Sequence, residues 1–157
     1  MDEVLMTQNG KKMLDQELEN LVKVERDKVI QAIAEARAHG DLKENADYSA
    51  AKERQSIIEG RILELQGKIN RARVIDVTKT STSKIVFGAT VSLLDTEKNL
   101  KVIYQIVGED EADLKKGKIS YLSPLGKAMI GKEEGDTVIV KAPKGDVEYE
   151  VENVEYK

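Results

Sequence analysis

A chain of 157 residues with 34% charged but only 4% aromatic side chains has room for one domain or two small ones, and suits an extended, surface-rich architecture better than one large core. Its formal net charge of −4 argues against nonspecific duplex binding by the whole molecule. The absence of cysteine excludes disulfides, thiolate nucleophiles and Cys-based zinc sites, and the single histidine, His39, can build neither a His-based metal centre nor a serine-type triad. No apolar run approaches the ~20 residues that a membrane-spanning helix needs. The N-terminus MDEVLMTQNG lacks the basic start and apolar stretch of a signal peptide, so a soluble cytoplasmic protein with no membrane partner is expected.

Thr7 is placed to cap a first helix, its hydroxyl facing the first free backbone N–H groups. From about Met13 to Ala38 no Pro or Gly interrupts a helical apolar spacing. Leu14, Leu18 and Leu21 begin the stripe, and Val22, Val29, Ile33 and Ala36 continue it after a slip in register near Val22. Gly40 ends the run, as Gly just past a helix usually does. The second segment is more regular: Tyr48, Ala51, Gln55, Ile58, Ile62, Leu65, Ile69 and Ala72 alternate spacings of 3 and 4 along one seam. Gln55 is its polar exception, and Tyr48 on the seam suggests packing rather than base stacking. Each helix would be about 40–45 Å long at ~1.5 Å per residue. The short break between them favours an antiparallel hairpin. Arg54, Arg61 and Lys68 recur beside the seam as candidates for interhelical salt bridges.

After Val74 the period changes to two. Ala89, Val91 and Leu93 share one strand face with Thr90 and Ser92 opposite, and Val147, Tyr149 and Val151 alternate with Glu148, Glu150 and Glu152. KVIYQIVGE and TVIVKA are further strand-like runs, while Asp95–Asn99 and Pro143–Asp146 predict hairpin turns. Ser123 with Pro124 at the first position predicts a short helix within SPLGKAMIG. The acidic run Glu109, Asp110, Glu111 and Asp113 lacks the ligand spacing and central Gly of an EF-hand, and is expected to be a solvated loop. The boundary falls near residues 75–82, giving a helical hairpin over 1–75 and a sheet-rich domain over 80–157.

The segment HGDLKENADYSAAKE between the two helical stretches carries the chemistry. Asp41 and Glu44 allow two compatible readings. They form a capping-box-like Asp-x-x-Glu at the start of the second helix, or they contribute to a cation site, since hard Mg²⁺ prefers carboxylate oxygen and water. Two exposed carboxylates are too few to hold Mg²⁺ alone, so the remaining ligands would come from a partner or a substrate phosphate. Arg37, Lys43, Lys52 and Arg54 around the same tip read either as a solvated charged face or as a phosphate-contacting patch. No P-loop or dinucleotide-binding Gly motif is present, and no autonomous active site is visible.

The strings AIAEARAHGDLKENADY, EGRI, VIDVTK, FGATV, IVGEDEAD, SPLGKAMIGKEEGD and VEYEVENVEY, in this order, resemble the Gre family of bacterial transcript cleavage (elongation) factors over essentially the whole chain. The modest basic cluster is similar to that of the family's GreA-like members. The resemblance implies an α+β protein: an N-terminal antiparallel coiled-coil hairpin with an acidic tip at 39–47, then a small FKBP-like antiparallel β-sheet domain with a short helix. It implies that the sheet domain docks on bacterial RNA polymerase near Ser123, Pro124 and Gly126, at the rim of the secondary channel, while the hairpin passes down to the catalytic centre. There Asp41 and Glu44 would be the functional acidic pair, ligating a Mg²⁺ shared with the polymerase active site. Arg37, Lys43 and Lys52 would hold the nascent RNA 3′ end of a backtracked complex. On this implication the protein is no enzyme itself but activates the polymerase's endonuclease in trans, as a monomer with no small-molecule substrate. Three alternatives share parts of the pattern: a non-cleaving channel regulator, a prolyl isomerase and a coiled-coil chaperone. The retained acidic pair argues against the first. Phe87, the only Phe or Trp, is a poor basis for the aromatic-lined pocket of the second, and the third needs no charged tip.

Overall fold

The computed structural model describes residues 2–40 and 45–157. Lys11–Ala72 forms the body of one compact unit, and Glu3–Gly10 joins Arg73–Lys157 in the other. No described helix is long and apolar enough to cross a membrane.

The first long helical stretch is interrupted where the apolar register slips. It comprises α1 (Gln8–Asn20), a π-helical turn over Leu21–Glu25, and α2 (Arg26–Ala38). In that turn the Arg26 N–H bonds to the Leu21 carbonyl, five residues back. A π turn absorbs one extra residue and so rotates the downstream helix by about 100°. This lets the stripe move from Leu14 to Val29, Ile33 and Ala36, all buried. Deleting Lys23, an exposed residue of this turn, should restore a straight α-helix and an unbroken 3–4 spacing. The variant is expected to melt at the parent temperature or above it; a clear fall in circular-dichroism melting would show that the π turn itself stabilises the hairpin.

Helix α3 (Ala46–Asn70) runs antiparallel to this stretch, as its ion pairs show. Ala51, Ile58, Ile62 and Leu65 are buried on its seam; Tyr48, Gln55 and Ile69 are half-buried. Ala72 departs from the seam expected of it. The helix ends at Asn70, where Arg71 N–H bonds to Gly67 O, and Ala72 opens strand β2 instead. Val29, Ile58 and Ile62 form a core against which Leu18, Leu21 and Val22 pack. Ile62 is 2% exposed whereas Ile57 is 66% exposed. Ile62→Ala should therefore cost ~2–5 kcal/mol and Ile57→Ala only ~0.5 kcal/mol or less, as measured by urea unfolding.

Charges flank the seam. Arg61 grips Glu17 through two hydrogen bonds (2.6 and 2.9 Å), Arg26 grips Glu59 likewise (2.8 and 2.7 Å), and Arg54 reaches Glu25 at 3.0 Å. The carboxylates hold both the Arg26 and Arg61 guanidinium groups above their usual pKa, mainly through these hydrogen bonds. Lys68 reaches Glu64 on its own helix at 3.2 Å. Its hydrogen bond is the main cause of the lowered Glu64 pKa. The Arg26–Glu59 and Arg61–Glu17 pairs are half-buried and bidentate, a geometry that fixes the register of one helix on the other.

In the second unit β1 (Val4–Thr7) pairs with β2 (Ala72–Ile75). A five-stranded sheet is built from β3 (Thr90–Asp95), β4 (Leu100–Val107), β5 (Lys118–Ser120), β6 (Thr137–Val140) and β7 (Val147–Glu155), in the order β5-β4-β3-β7-β6. Neighbours are antiparallel except β4 and β5, which are parallel. Ala89, Val91 and Leu93 are fully buried, as the period of two predicts. They pack with Ile85, Ile106, Met129, Val138 and Val151 in one core. The predicted turns lie between β3 and β4, where Asp95 Oδ1 accepts the N–H groups of Glu97 and Lys98, and between β6 and β7, where Gly145 takes φ 124°. Phe87 packs edge-to-face on Tyr121, with centroids 5.5 Å apart.

The acidic run differs from the solvated loop expected. Glu109–Glu111 is a short 3₁₀ turn, and Glu111 is only 6% exposed. Its carboxylate accepts from Thr7 N–H (2.9 Å), the Thr7 hydroxyl and Gly108 N–H (3.1 Å). Thr7 Oγ1 in turn caps α1 by accepting from Gly10 N–H at 3.1 Å. Gly10 is needed here, since a Cβ would lie 2.1 Å from Glu111 Cδ.

Candidate functional site at the hairpin tip

Helix α2 closes with His39 N–H on Ala36 O and Gly40 N–H on Arg37 O, Gly40 taking φ 109°. Helix α3 opens with Asn45 as its N-cap. Asn45 Oδ1 accepts from Tyr48 N–H at 3.0 Å, while Nδ2 donates to Ala36 O at 2.6 Å. One side chain thus satisfies a free donor at the start of α3 and adds a second donor to the Ala36 carbonyl at the end of α2, clamping the helix ends together. The N-cap oxygen of α3 comes from Asn45, a role that the sequence reading did not give it. Asn directly before a helical run is itself a capping signal, and would have pointed to it. Asp41, Lys43 and Glu44 lie outside the described residues.

The described tip residues sort onto two flanks. On one, the Arg37 guanidinium carbon lies 5.9 Å from the centroid of the Tyr48 ring. Exposed Lys52 donates to Gln55 Oε1 at 3.2 Å on the same flank, which gives the polar seam residue a partner. The opposite flank carries a groove of about 330 Å³ lined by Ala32, Ala36, Ala50 and Ala51, with Glu35, His39, Asp47 and Arg54 around it. Among the described residues, Arg37 and Lys52 therefore stand on one flank, and the carboxylates Glu35 and Asp47 stand with Arg54 and His39 on the other. Arg54 is separated from Arg37 and Lys52 by this division and is engaged by Glu25.

Among the described residues no group of three or more His, Asp or Glu is arranged to hold a metal ion. Asp41 and Glu44, the pair expected to ligate Mg²⁺, lie outside those residues.

The residues expected to dock a partner sit around helix α4 (Pro124–Met129). Ser123 caps it, accepting from Gly126 N–H at 3.1 Å and donating to Ser120 O at 2.7 Å. Pro124 is exposed and Ser123 half-buried. Gly126 is buried, and a Cβ on it would meet Ser120 O at 2.3 Å. Gly126 therefore shapes the turn from inside, while Pro124 and the 46%-exposed Leu122 present its outer surface.

Comparison with known proteins bears on both units. Residues 4–74 match the family described as transcription elongation factor, N-terminal, and residues 80–156 match transcription elongation factor, GreA/GreB, C-terminal. The chain is 55% identical to the transcription elongation factor GreA of Alkalilimnicola ehrlichii over 157 residues, covering 99% of each chain. It is 58% identical to GreA of Xanthomonas axonopodis pv. citri over 152 residues, covering 96% of each. Among solved structures it is similar to Gfh1 of Thermus aquaticus, at 28% identity, 99% coverage of both chains and a TM-score of 0.45. The chain belongs to the GreA/GreB family of transcription elongation factors.

Proposed function

We propose that the protein is a transcript cleavage factor that binds bacterial RNA polymerase through its secondary channel and stimulates the polymerase's own cleavage of backtracked RNA. It supplies groups in trans and is not an enzyme by itself. The observation that carries this is the clamped hairpin end. Asn45 ties α2 to α3, and the connection between Ala38 and Ala46 bears Asp41 and Glu44, with Arg37 and Lys52 in the adjoining helical turns. At ~1.5 Å per residue the 25 residues of α3 span about 37 Å, enough to carry these groups deep into a channel.

When bound, Mg²⁺ supplies Lewis acidity and an activated water for phosphodiester hydrolysis. Asp41 and Glu44 offer carboxylate oxygens to an ion that the polymerase holds weakly. Arg37, Lys43 and Lys52 attract the phosphates of the extruded RNA 3′ end. The α4 turn, with Ser123 capping and Pro124 outermost, docks the sheet unit on the polymerase. Among the alternatives, a non-cleaving regulator would have no use for the acidic pair. Adding the protein to halted, backtracked polymerase complexes should yield RNA shortened at its 3′ end. Occupancy of the complex without shortening would favour the non-cleaving regulator instead.

A further inference from the structure

Of the five arginines of the helical unit, three are engaged by glutamates, Arg26 by Glu59, Arg54 by Glu25 and Arg61 by Glu17, and Arg71 donates to the Gly67 carbonyl at 3.2 Å. Arg37 differs. It has no carboxylate partner among the described residues, and its guanidinium carbon stands 5.9 Å from the Tyr48 ring centroid, within the ~6 Å range of cation–π attraction. We propose that Arg37 and Tyr48 form a stacking step for one unpaired nucleobase of the extruded RNA, the base lying on the guanidinium face turned away from the ring. This rests on the cleavage-factor function above and names how the RNA is held.

The support under Arg37 is built into the tip. Tyr48 is half-buried in the seam and its backbone N–H is fixed by Asn45 Oδ1. The Asn45 amide also holds the carbonyl of Ala36, the residue before Arg37. One bracket therefore positions both the ring and the backbone that carries the guanidinium. Arg37 itself is exposed, so the plane has an open side. Lys52 adds positive charge on this flank, whereas Glu35 and Asp47 line the other and repel phosphate. An RNA strand at the tip is thus steered to the Arg37 flank. Extruded RNA is single-stranded, and unstacked bases settle on guanidinium planes and aromatic rings whatever their identity. A factor that must act on any sequence gains from such a sequence-tolerant hold. Lysine attracts phosphate equally well but has no plane on which a base can stack.

That difference provides the test. Full-length protein is titrated onto halted complexes carrying backtracked RNA, in which an abasic residue replaces each extruded nucleotide in turn. The concentration for half-maximal cleavage is the readout. One abasic position should raise it by about tenfold for the parent protein. Arg37→Lys should be weakened about tenfold on intact RNA and should no longer distinguish that abasic position. Tyr48→Leu should resemble Arg37→Lys, and Tyr48→Phe, which keeps the ring, should retain the discrimination. Parent-like behaviour of Arg37→Lys, or equal response to every abasic substrate, would overturn the proposal and leave Arg37 as a phosphate contact. Absence of cleavage by the parent protein on intact RNA at saturation would instead overturn the cleavage function, and this inference with it.

Discussion

Alanine at both Asp41 and Glu44 is expected to remove stimulated RNA cleavage while leaving occupancy of the polymerase intact. The two residues come after the end of α2 and precede the Asn45 cap of α3. The N-cap of α3 is Asn45, whose Oδ1 accepts from Tyr48 N–H. The buried seam of Ala51, Ile58, Ile62 and Leu65 lies along α3 and is untouched by the change. The hairpin should therefore keep its melting temperature. Removing carboxylate ligands of a shared Mg²⁺ should reduce cleavage by at least the ~10–100-fold that loss of a metal's outer-shell partner costs. Raising Mg²⁺ should recover part of the activity of either single variant, because a weaker site fills at higher ion concentration. Competition for polymerase and RNA shortening, measured on the same preparations, separate the two effects. A double variant that binds and cleaves like the parent would refute the metal-ligand role.

Glu111→Ala is expected to destabilise the sheet unit more than any other change in its acidic run. The substitution leaves the buried N–H groups of Thr7 and Gly108 without acceptors. Each orphaned donor costs ~1–3 kcal/mol. Roughly 2–5 kcal/mol in a unit of this size should lower the melting temperature by at least about 10 °C. Glu109→Ala, an exposed neighbour in the same run, should change stability by no more than ~0.5 kcal/mol. Gly10→Ala should also be destabilising, because its Cβ would enter the space of the Glu111 carboxyl group. Deleting the first ten residues removes Thr7 and strand β1 and should mimic Glu111→Ala. A fragment beginning at residue 80 lacks the same strand, so tests of polymerase docking need Glu3–Gly10 retained. Calorimetry of these variants decides the matter; a Glu111→Ala protein melting with the parent would show that the carboxylate does not hold the N-terminal strand in place.

Much of the architecture was legible along the chain because its causes are local. The strict 3–4 alternation of α3 needs only a helix and a partner, and Ala51, Ile58, Ile62 and Leu65 are buried where it says. The alternation at Ala89, Val91 and Leu93 likewise needs only a pleated strand with one dry face. Ser123 followed by Pro124 specifies a helix start through one hydroxyl and one fixed dihedral. Even the slip at Val22 marked the place where the chain inserts its π turn.

The tertiary structure decided what depends on groups far apart in the chain, or on which of several local donors and acceptors wins. Asp41 and Asn45 are both reasonable caps for α3; Asn45 takes the role because only an amide can accept from Tyr48 N–H and also donate to Ala36 O. Ala72 continues the heptad in sequence, yet pairing of β2 with β1 draws it out of the helix. Pro124 and Gly126 are equally prominent in the motif, but one is exposed and the other packs on Ser120 O. Glu111 sits in an acidic run that composition assigns to water. Its three donors include two from Thr7, 104 residues away, and only the folded sheet unit brings them together to make burial of a carboxylate favourable.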